Sequence, residues 1–264
     1  ENLIKKTLKA KFALTCTSGT AALHLAFMSI NLKKEDVIIL PIINFIAASN
    51  LASMLQAKIY YADVCPNTGQ MTPETLKACV KKNNLKNIKA VVTMYLGGNP
   101  DNIKNFYYLK KKYKFYLLED ACHALGSSYI YNGKIYNVGS CIHSDICIFS
   151  LHPLKTITSG EGGIVVTNNL DIFNRLSKLK NSGIDRKDYK KKINFPHWLY
   201  DIKYPGLNYR LSDINCSLGY SQLKKINKFV SKRKKIAKKY IKFFNRFGNI
   251  INFRSFESGK YSSW

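Results

Sequence analysis

Short apolar runs alternate with segments of helical periodicity through most of this chain, and that alternation limits the folds open to it. We predict strands at residues 37–40, 58–61, 88–95, 115–118, 146–149 and 164–167. We predict helices just after Gly19 and Thr20 and at residues 44–56, 73–83, 103–113, 171–181 and 212–247. Strands that alternate with helices form a parallel sheet with helices on both faces. The expected fold class is therefore α/β.

Two acidic residues, Glu119 and Asp120, follow directly on the predicted strand at 115–118. Ligands of parallel sheets bind beyond the carboxyl ends of the strands. A carboxylate buried there costs several kcal/mol unless a cation or a set of donors faces it. We interpret Asp120 either as an acid that caps the next turn or as a carboxylate that keeps a bound heterocycle protonated. His123 is near enough to share that site, or it is a structural hydrogen-bonding group.

One lysine is set apart from the many others in this sequence. The strand at 146–149 leads to the hydroxyl of Ser150 and, past the turn at Pro153, to Lys155, which has small and hydroxyl residues around it. An amine partly removed from water loses its proton more easily and then attacks aldehydes, which suits Schiff-base chemistry. The alternative, from this stretch alone, is an ordinary surface lysine on a hairpin.

The segment around Ser18 predicts the start of a helix. Ser18 is a good N-cap residue, and apolar residues recur at helical spacing after it. The free N–H groups at Gly19 and Thr20, with the positive end of the helix dipole, would hold a phosphate. A plain capped helix is the simpler interpretation of this segment alone.

The net charge of +26 invites a nucleic-acid interpretation. The basic residues are mostly lysine and are spread along the whole length instead of being gathered with aromatic residues in one motif. This pattern favours a lysine-biased composition over nucleic-acid binding. The charge would still attract an anionic substrate such as a nucleotide diphosphate.

The seven cysteines are scattered without a Cys-x-x-Cys pair, so we expect reduced thiols and no metal site. The sequence has no apolar run as long as a membrane span, and its first residues lack the apolar core of a signal peptide. We therefore expect a cytoplasmic protein without membrane insertion.

Four segments together resemble the DegT-type nucleotide-sugar aminotransferases. These segments are Ser18-Gly-Thr-Ala-Ala-Leu-His24, Leu118-Glu-Asp-Ala-Cys-His-Ala-Leu-Gly126, Ser150-Leu-His-Pro-Leu-Lys-Thr-Ile-Thr-Ser-Gly-Glu-Gly-Gly163 and Asn208-Tyr-Arg-Leu-Ser-Asp-Ile214. The resemblance covers nearly the whole chain. It implies the type I fold shared with aspartate aminotransferase, with a mostly parallel mixed sheet, and it implies pyridoxal 5'-phosphate (PLP) as cofactor.

The resemblance also implies a role for individual residues. Lys155 is similar to the Schiff-base lysine, and Asp120 to the partner of the pyridinium nitrogen. The residues that match the remaining cofactor contacts are Ser18, Gly19 and Thr20 at the phosphate-binding helix start, Ser150 as a second phosphate donor, His123 beside the 3-hydroxyl group, and Phe45 stacked on the ring. Asn208 matches a residue that reaches the phosphate of the neighbouring subunit, which implies a homodimer with shared active sites.

Within the family, the segments are most similar to members that act in pseudaminic acid biosynthesis. The implied substrates are a UDP-linked 4-keto-6-deoxy-N-acetylhexosamine and L-glutamate. Perosamine-type synthases share most of these segments and remain an alternative. A catalytically silent, basic nucleotide-binding protein is another, and so is a PLP dehydratase of the same fold, although a dehydratase carries histidine in place of the lysine.

Family members begin with a substrate-contacting segment and end with a small domain. This chain begins near the phosphate-binding helix and stops after a long helix, so we expect it to be truncated at both ends. The predicted domains are a large PLP-binding domain at 1–227 and, at 228–264, a connecting helix with the start of a small C-terminal domain.

Overall fold

The computed structural model describes residues 1–185 and 198–248 of the 264-residue chain. In chain order the elements are α1 (Asn2–Leu8), β1 (Phe12–Cys16), α2 (Gly19–Ser29), β2 (Val37–Pro41), α3 (Ala47–Met54), β3 (Lys58–Ala62), α4 (Pro73–Lys82), β4 (Ile88–Met94), α5 (Ile103–Tyr113), β5 (Tyr116–Asp120), β6 (Ser128–Tyr131), β7 (Lys134–Asn137), β8 (Ile146–Ser150), β9 (Gly163–Thr167), α6 (Leu170–Leu179), β10 (Ile184–Asp185), β11 (Asp201–Ile202), α7 (Asp213–Leu223) and α8 (Ile226–Phe244). Among these described residues, no helix is long and apolar enough to cross a membrane.

Seven strands form the main sheet, in the order β1-β9-β8-β5-β4-β2-β3. The strands β3, β2, β4, β5 and β8 pair in parallel, whereas β9 is antiparallel to both β8 and β1. The predicted mostly parallel mixed sheet with helices is confirmed. Because β1 and β8 both oppose β9, they run in the same direction. The carboxyl ends of β1, β8 and β5 therefore lie at one edge of the sheet.

Helices cover both faces of this sheet, and each face has its own apolar core. On one face, α2, α3 and α6 pack through small and branched residues such as Ala22, Ala48 and Leu176. On the other face, α1, α4, α5 and α8 pack through larger residues such as Leu76 and Phe106. Side chains alternate along each strand, so a single strand contributes to both cores.

Most predicted strands and helices are present, with shifted ends. The strand predicted at 115–118 extends through Asp120, which makes both acidic residues part of the strand. The helix predicted at 44–56 begins only at Ala47 and ends at Met54. Phe45 therefore precedes the helix instead of lying within it. The short elements α1 and β1 and the β6–β7 hairpin were not predicted.

The single helix predicted at 212–247 is wrong. The chain forms α7 and α8 with a break at Lys224 and Lys225, followed by a short 3-10 turn at Asn245–Phe247. Leu223 and Ile226 on either side of the break are both buried. The boundary predicted at 227/228 falls inside the first turn of α8, and much of the predicted second domain, residues 249–264, lies outside the described part of the chain.

Candidate active site

Most of the predicted site residues stand at the shared carboxyl edge of β1, β5 and β8 or follow it. Asp120 is the last residue of β5, and Ser150 is the last residue of β8. Ser18 follows the end of β1 and caps α2. Asp120 pairs in register with Ile148, two residues before Ser150. The topology thus brings together three segments that are far apart in the sequence.

The first turn of α2 lies against the end of β8. The Ser18 side chain accepts a backbone hydrogen bond from that turn at 3.0 Å, as expected of an N-cap. A Cβ atom built on Gly19 would lie 2.9 Å from the Ser150 Cβ atom and 3.2 Å from its Oγ atom. One on Gly163 would lie 2.1 Å from the Ser18 carbonyl oxygen. Glycine at positions 19 and 163 lets the start of α2 approach the Ser150 hydroxyl. Thr20, which follows Gly19 in α2, is exposed.

Asp120 is buried at the end of its strand, with 3% of its surface exposed. Its carboxylate accepts a hydrogen bond from the backbone N–H of Cys122 at 3.2 Å and another from the Cys122 thiol. Burial raises the pKa of the Asp120 carboxyl above its ordinary value, while the bonds from Cys122 and the charge of Lys155 lower it. Lys155 is therefore within electrostatic range of this carboxylate.

His123 lies in the turn that follows Asp120. Burial and, to a smaller extent, the positive charge of Lys155 together lower the pKa of His123 to about 4. The imidazole is therefore neutral near neutral pH. A neutral imidazole suits a hydrogen bond to a hydroxyl or phenolate oxygen better than an ion pair.

Lys155 lies on a loop that closes tightly after β8. Its backbone N–H donates to the His152 carbonyl at 2.9 Å, which forms the turn around Pro153. Thr158 Oγ1 donates to the Leu151 carbonyl at 2.9 Å. The side chain of Lys155 is half-buried and acts electrostatically on Asp120 and His123.

Phe45 and Asn208 belong to other segments and are exposed. Phe45 follows the carboxyl end of β2 and is 68% exposed, which leaves its ring available for stacking. Asn208 forms an isolated antiparallel bridge with Asn181. The neighbouring Tyr209 is fixed by a hydrogen bond between its hydroxyl group and His24 Nδ1 at 3.1 Å. The loop that carries Asn208 is therefore anchored to the body of the chain, while the Asn208 side chain faces outward.

A buried polar cluster on the opposite face of the sheet was not predicted. Glu119 Oε2 accepts from the Tyr95 hydroxyl at 2.8 Å, and Glu119 Oε1 accepts from the Ser144 hydroxyl. Burial raises the pKa of Glu119 to about 6, although these two hydrogen bonds lower it. The backbone N–H of Tyr95 also donates to the Asp120 carbonyl at 3.2 Å. The alternation of side chains along a strand was the available signal that Glu119 and Asp120 face opposite ways.

The donor set at the sheet edge suits one kind of ligand. Backbone N–H groups at a helix start, with the Ser150 hydroxyl beside them, suit a phosphate. A buried carboxylate with a raised pKa suits a protonated ring nitrogen, and a half-buried amine suits an aldehyde. These features fit PLP. Within residues 1–185 and 198–248, no group of three or more His, Cys, Asp or Glu side chains is arranged to hold a metal ion.

Comparison with known proteins identifies the family of this chain. Residues 1–264 match the DegT/DnrJ/EryC1/StrS aminotransferase family. The chain is 37% identical over 246 residues to a UDP-4-amino-4,6-dideoxy-N-acetyl-beta-L-altrosamine transaminase from Campylobacter jejuni, covering 93% of this chain and 61% of that protein. This chain therefore spans about three fifths of the length of that relative.

Two solved structures share the fold. An aminotransferase from Psychrobacter cryohalolentis superimposes with a TM-score of 0.90 at 24% identity, covering 100% of this chain and 66% of that one. Helicobacter pylori PseC, an aminotransferase involved in the biosynthesis of pseudoaminic acid, superimposes with a TM-score of 0.79 at 26% identity, with the same coverage of 100% and 66%. The predicted fold class is confirmed.

Proposed function

The chain belongs to the DegT/DnrJ/EryC1/StrS aminotransferase family, and from this premise we propose that the protein transfers the amino group of L-glutamate to the C4 ketone of a UDP-linked 4-keto-6-deoxy-N-acetylhexosamine. The product class is a UDP-4-amino-4,6-dideoxy-N-acetylhexosamine for pseudaminic acid or a related surface-glycan sugar. Aminotransferases of this family depend on PLP.

The observation that carries the proposal is that the buried Asp120, at the end of β5, lies within electrostatic range of Lys155, on the loop after β8. Burial raises the pKa of Asp120, and ionising a carboxylate in such a place is costly unless a positive group compensates. A protonated ring nitrogen is such a group. A protein that only binds nucleotides has no use for a reactive lysine beside this carboxylate.

We assign the cofactor phosphate to the start of α2. The free backbone N–H groups at Gly19 and Thr20 point out of the helix end, and Ser18 and Ser150 add hydroxyl groups beside them. Gly19 lies against Ser150, with 2.9 Å between its virtual Cβ atom and the Ser150 Cβ atom. Fixed donors at a helix start bind a dianionic group without further reorganisation.

When bound, PLP supplies an electron-poor ring that stabilises negative charge on the carbon next to the amino nitrogen. Asp120 would hold the proton on the ring nitrogen and so keep the ring electron-poor. Lys155 Nζ would tether the cofactor and, as a free amine, would hold and return the proton at the α carbon of the amino donor and at C4 of the sugar.

Two further residues orient the ring. His123, whose pKa is lowered to about 4 by burial and by Lys155, would offer a neutral imidazole to the 3-hydroxyl group of the cofactor. Phe45 offers an exposed phenyl ring for stacking on the cofactor face. Both act on the position of the ring and take no part in the proton transfer.

We propose that the protein works as a homodimer with shared sites. Asn208 is exposed on an anchored loop, as expected for a side chain that completes the phosphate site of a partner subunit. The net charge of +26 would draw the anionic UDP-sugar towards the protein. We place the reaction in the cytoplasm, because all seven cysteines are thiols, as is usual in a reducing compartment.

Product analysis tests this function. The complete protein, loaded with PLP, is incubated with L-glutamate and candidate UDP-4-keto sugars, and the products are identified by mass spectrometry. Conversion of ketone to amine that depends on glutamate and is absent in Lys155→Ala supports the proposal. If none of the 4-keto sugars is aminated while the protein carries PLP, the substrate assignment is wrong.

A further inference from the structure

One face of α8 packs on the segment that begins at Asp120. Ile226 and Val230, spaced one helical turn apart, are both buried and lie against Gly126. A Cβ atom built on Gly126 would lie 2.9 Å from Val230 Cγ2 and 3.3 Å from Ile226 Cδ1. Gly126 also has a φ angle of +91°, so a larger residue there would meet both backbone strain and a steric clash. The helix is thus fitted closely to this segment.

The next position on the same helical face is Arg233, three residues after Val230. Arg233 is half-buried, and its Nη2 atom donates to the backbone carbonyl of Lys155 at 3.1 Å. The N–H group of Lys155 donates to the His152 carbonyl at 2.9 Å. Both polar backbone groups of the lysine are therefore held, one by its own loop and one by α8.

The far end of the same loop is held by a different helix. Asn215 of α7 donates from Nδ2 to the Ser159 carbonyl and, at 3.3 Å, to the Glu161 carbonyl. A Cβ atom built on Gly219, one turn later, would lie 3.2 Å from the Ser159 Cβ atom. α7 thus fixes the end of the loop, whereas α8 reaches the peptide of Lys155 itself.

We propose that Arg233 is a positioning residue that sets the backbone of Lys155 relative to Asp120. The same face of α8 contacts the segment after Asp120 through Ile226 and Val230. It contacts the Lys155 loop through Arg233. A helix that contacts both segments limits the movement of the Lys155 backbone relative to the segment that follows Asp120. The role assigned to Lys155 rests on the proposed function, but the contact and its effect on the loop do not.

Hydrogen exchange and cofactor trapping test this role with three variants. Arg233→Met removes the donor and keeps an apolar stem, Arg233→Lys keeps the charge on a different head group, and Lys235→Met removes an exposed cation from the same helix. Amide exchange is measured across the molecule in the cofactor-free protein. Attachment of PLP at Lys155 is then followed by borohydride reduction at timed intervals and mass spectrometry.

Loss of a hydrogen bond from a charged donor should raise the equilibrium constant for local opening of the loop by about tenfold to a hundredfold. In Arg233→Met we expect exchange at residues 151–159 to accelerate by at least about tenfold, and attachment of PLP at Lys155 to slow. Arg233→Lys should lie between this variant and the wild type, and Lys235→Met should match the wild type.

The proposal is overturned if exchange at 151–159 is unchanged in Arg233→Met, or if it accelerates equally throughout the molecule. Equal acceleration would mean that the residue contributes general stability instead of loop position. Unchanged attachment at Lys155 despite a looser loop would also contradict it. Attachment of PLP to another lysine in the wild type would overturn the proposed function. It would not affect the test of Arg233 by amide exchange, because that test uses the cofactor-free protein.

Discussion

Gly19, at the start of α2, lies so close to Ser150, at the end of β8, that a Cβ atom on Gly19 would come within 2.9 Å of the Ser150 Cβ atom. Real Cβ atoms do not approach side-chain atoms this closely without a shift of one partner. The glycine therefore allows a helix N-terminus and a hydroxyl group from a distant strand to share one small volume. The phosphate site that we propose depends on this contact.

Gly19→Ala should push the start of α2 away from β8. We expect the free energy of unfolding to fall by about 1–3 kcal/mol, as for other overpacked sites, and the affinity for PLP to fall as well. Alanine is a better helix former than glycine. Helix propensity alone therefore predicts that Gly19→Ala raises the free energy of unfolding. Denaturant unfolding of the cofactor-free protein measures the change.

Ser150→Gly provides the matched test of that explanation. It removes the nearest Cβ and Oγ atoms, so the double variant should recover part of the stability that Gly19→Ala loses. Strictly additive effects of the two changes would mean that the clash with Ser150 is not the cause.

Asp120→Asn preserves the shape of the side chain and removes the charge that, in the proposed function, would hold the ring proton. We expect PLP to remain bound, as judged by its visible spectrum, while turnover falls by about 10²–10³-fold, which is typical for loss of one preorganised electrostatic group. Asp63→Asn, at an exposed carboxylate, is the control. Near-normal turnover in Asp120→Asn would exclude the role assigned to Asp120.

Glu119 makes the stability of the fold depend on pH. Burial raises the pKa of Glu119 from 4.5 to about 6, so the folded state binds this proton more tightly than the unfolded chain does. The contribution of Glu119 to the free energy of unfolding is therefore greatest below about pH 4.5, falls by about 2 kcal/mol as the pH rises to about 6, and is constant above that.

Glu119→Gln should remove this dependence. The stability of the variant relative to the wild type should rise by a similar amount between pH 4.5 and pH 6, as measured by denaturant unfolding across the range. Glu74→Gln, at an exposed position on α4, should show no such trend. A constant difference between Glu119→Gln and the wild type at all pH values would contradict the raised pKa.

The sequence predicted the parts of the fold that have strong periodicity. The central strands were found because each is a continuous apolar run, and the helices between them were found because their apolar residues recur at helical spacing after start signals such as Ser18 and Pro73. The β6–β7 hairpin was missed, although Asn132 and Gly133 are an Asn-Gly turn with positive φ at both residues, a sequence signal typical of hairpins.

Other features had no local signal. The break at Lys224 and Lys225 contains neither glycine nor proline and arises from tertiary packing. The contact between Arg233 and the Lys155 carbonyl joins residues 78 positions apart. The sequence of α8 does not distinguish Arg233 from the many other basic residues of that helix. Contacts of this kind depend on the assembled sheet, so residue patterns alone do not reveal them.

Mixing two inactive variants of the complete protein tests the shared site. Lys155→Ala removes the amine, and Asn208→Ala removes the side chain that we assign to the partner's phosphate site. After subunit exchange, a mixed dimer contains one site with both defects and one with neither, so partial activity should return. If exchange is demonstrated by mass-tagged subunits and no activity returns, Asn208 does not act across the interface.

The proposed function requires that PLP attaches to Lys155. The most direct measurement is borohydride reduction of the PLP-loaded complete protein, followed by peptide mass spectrometry to locate the added cofactor mass. We expect this mass on Lys155 and expect Lys155→Ala to abolish it. Cofactor mass on a different lysine, or retained labelling in Lys155→Ala, would show that Lys155 is not the attachment residue.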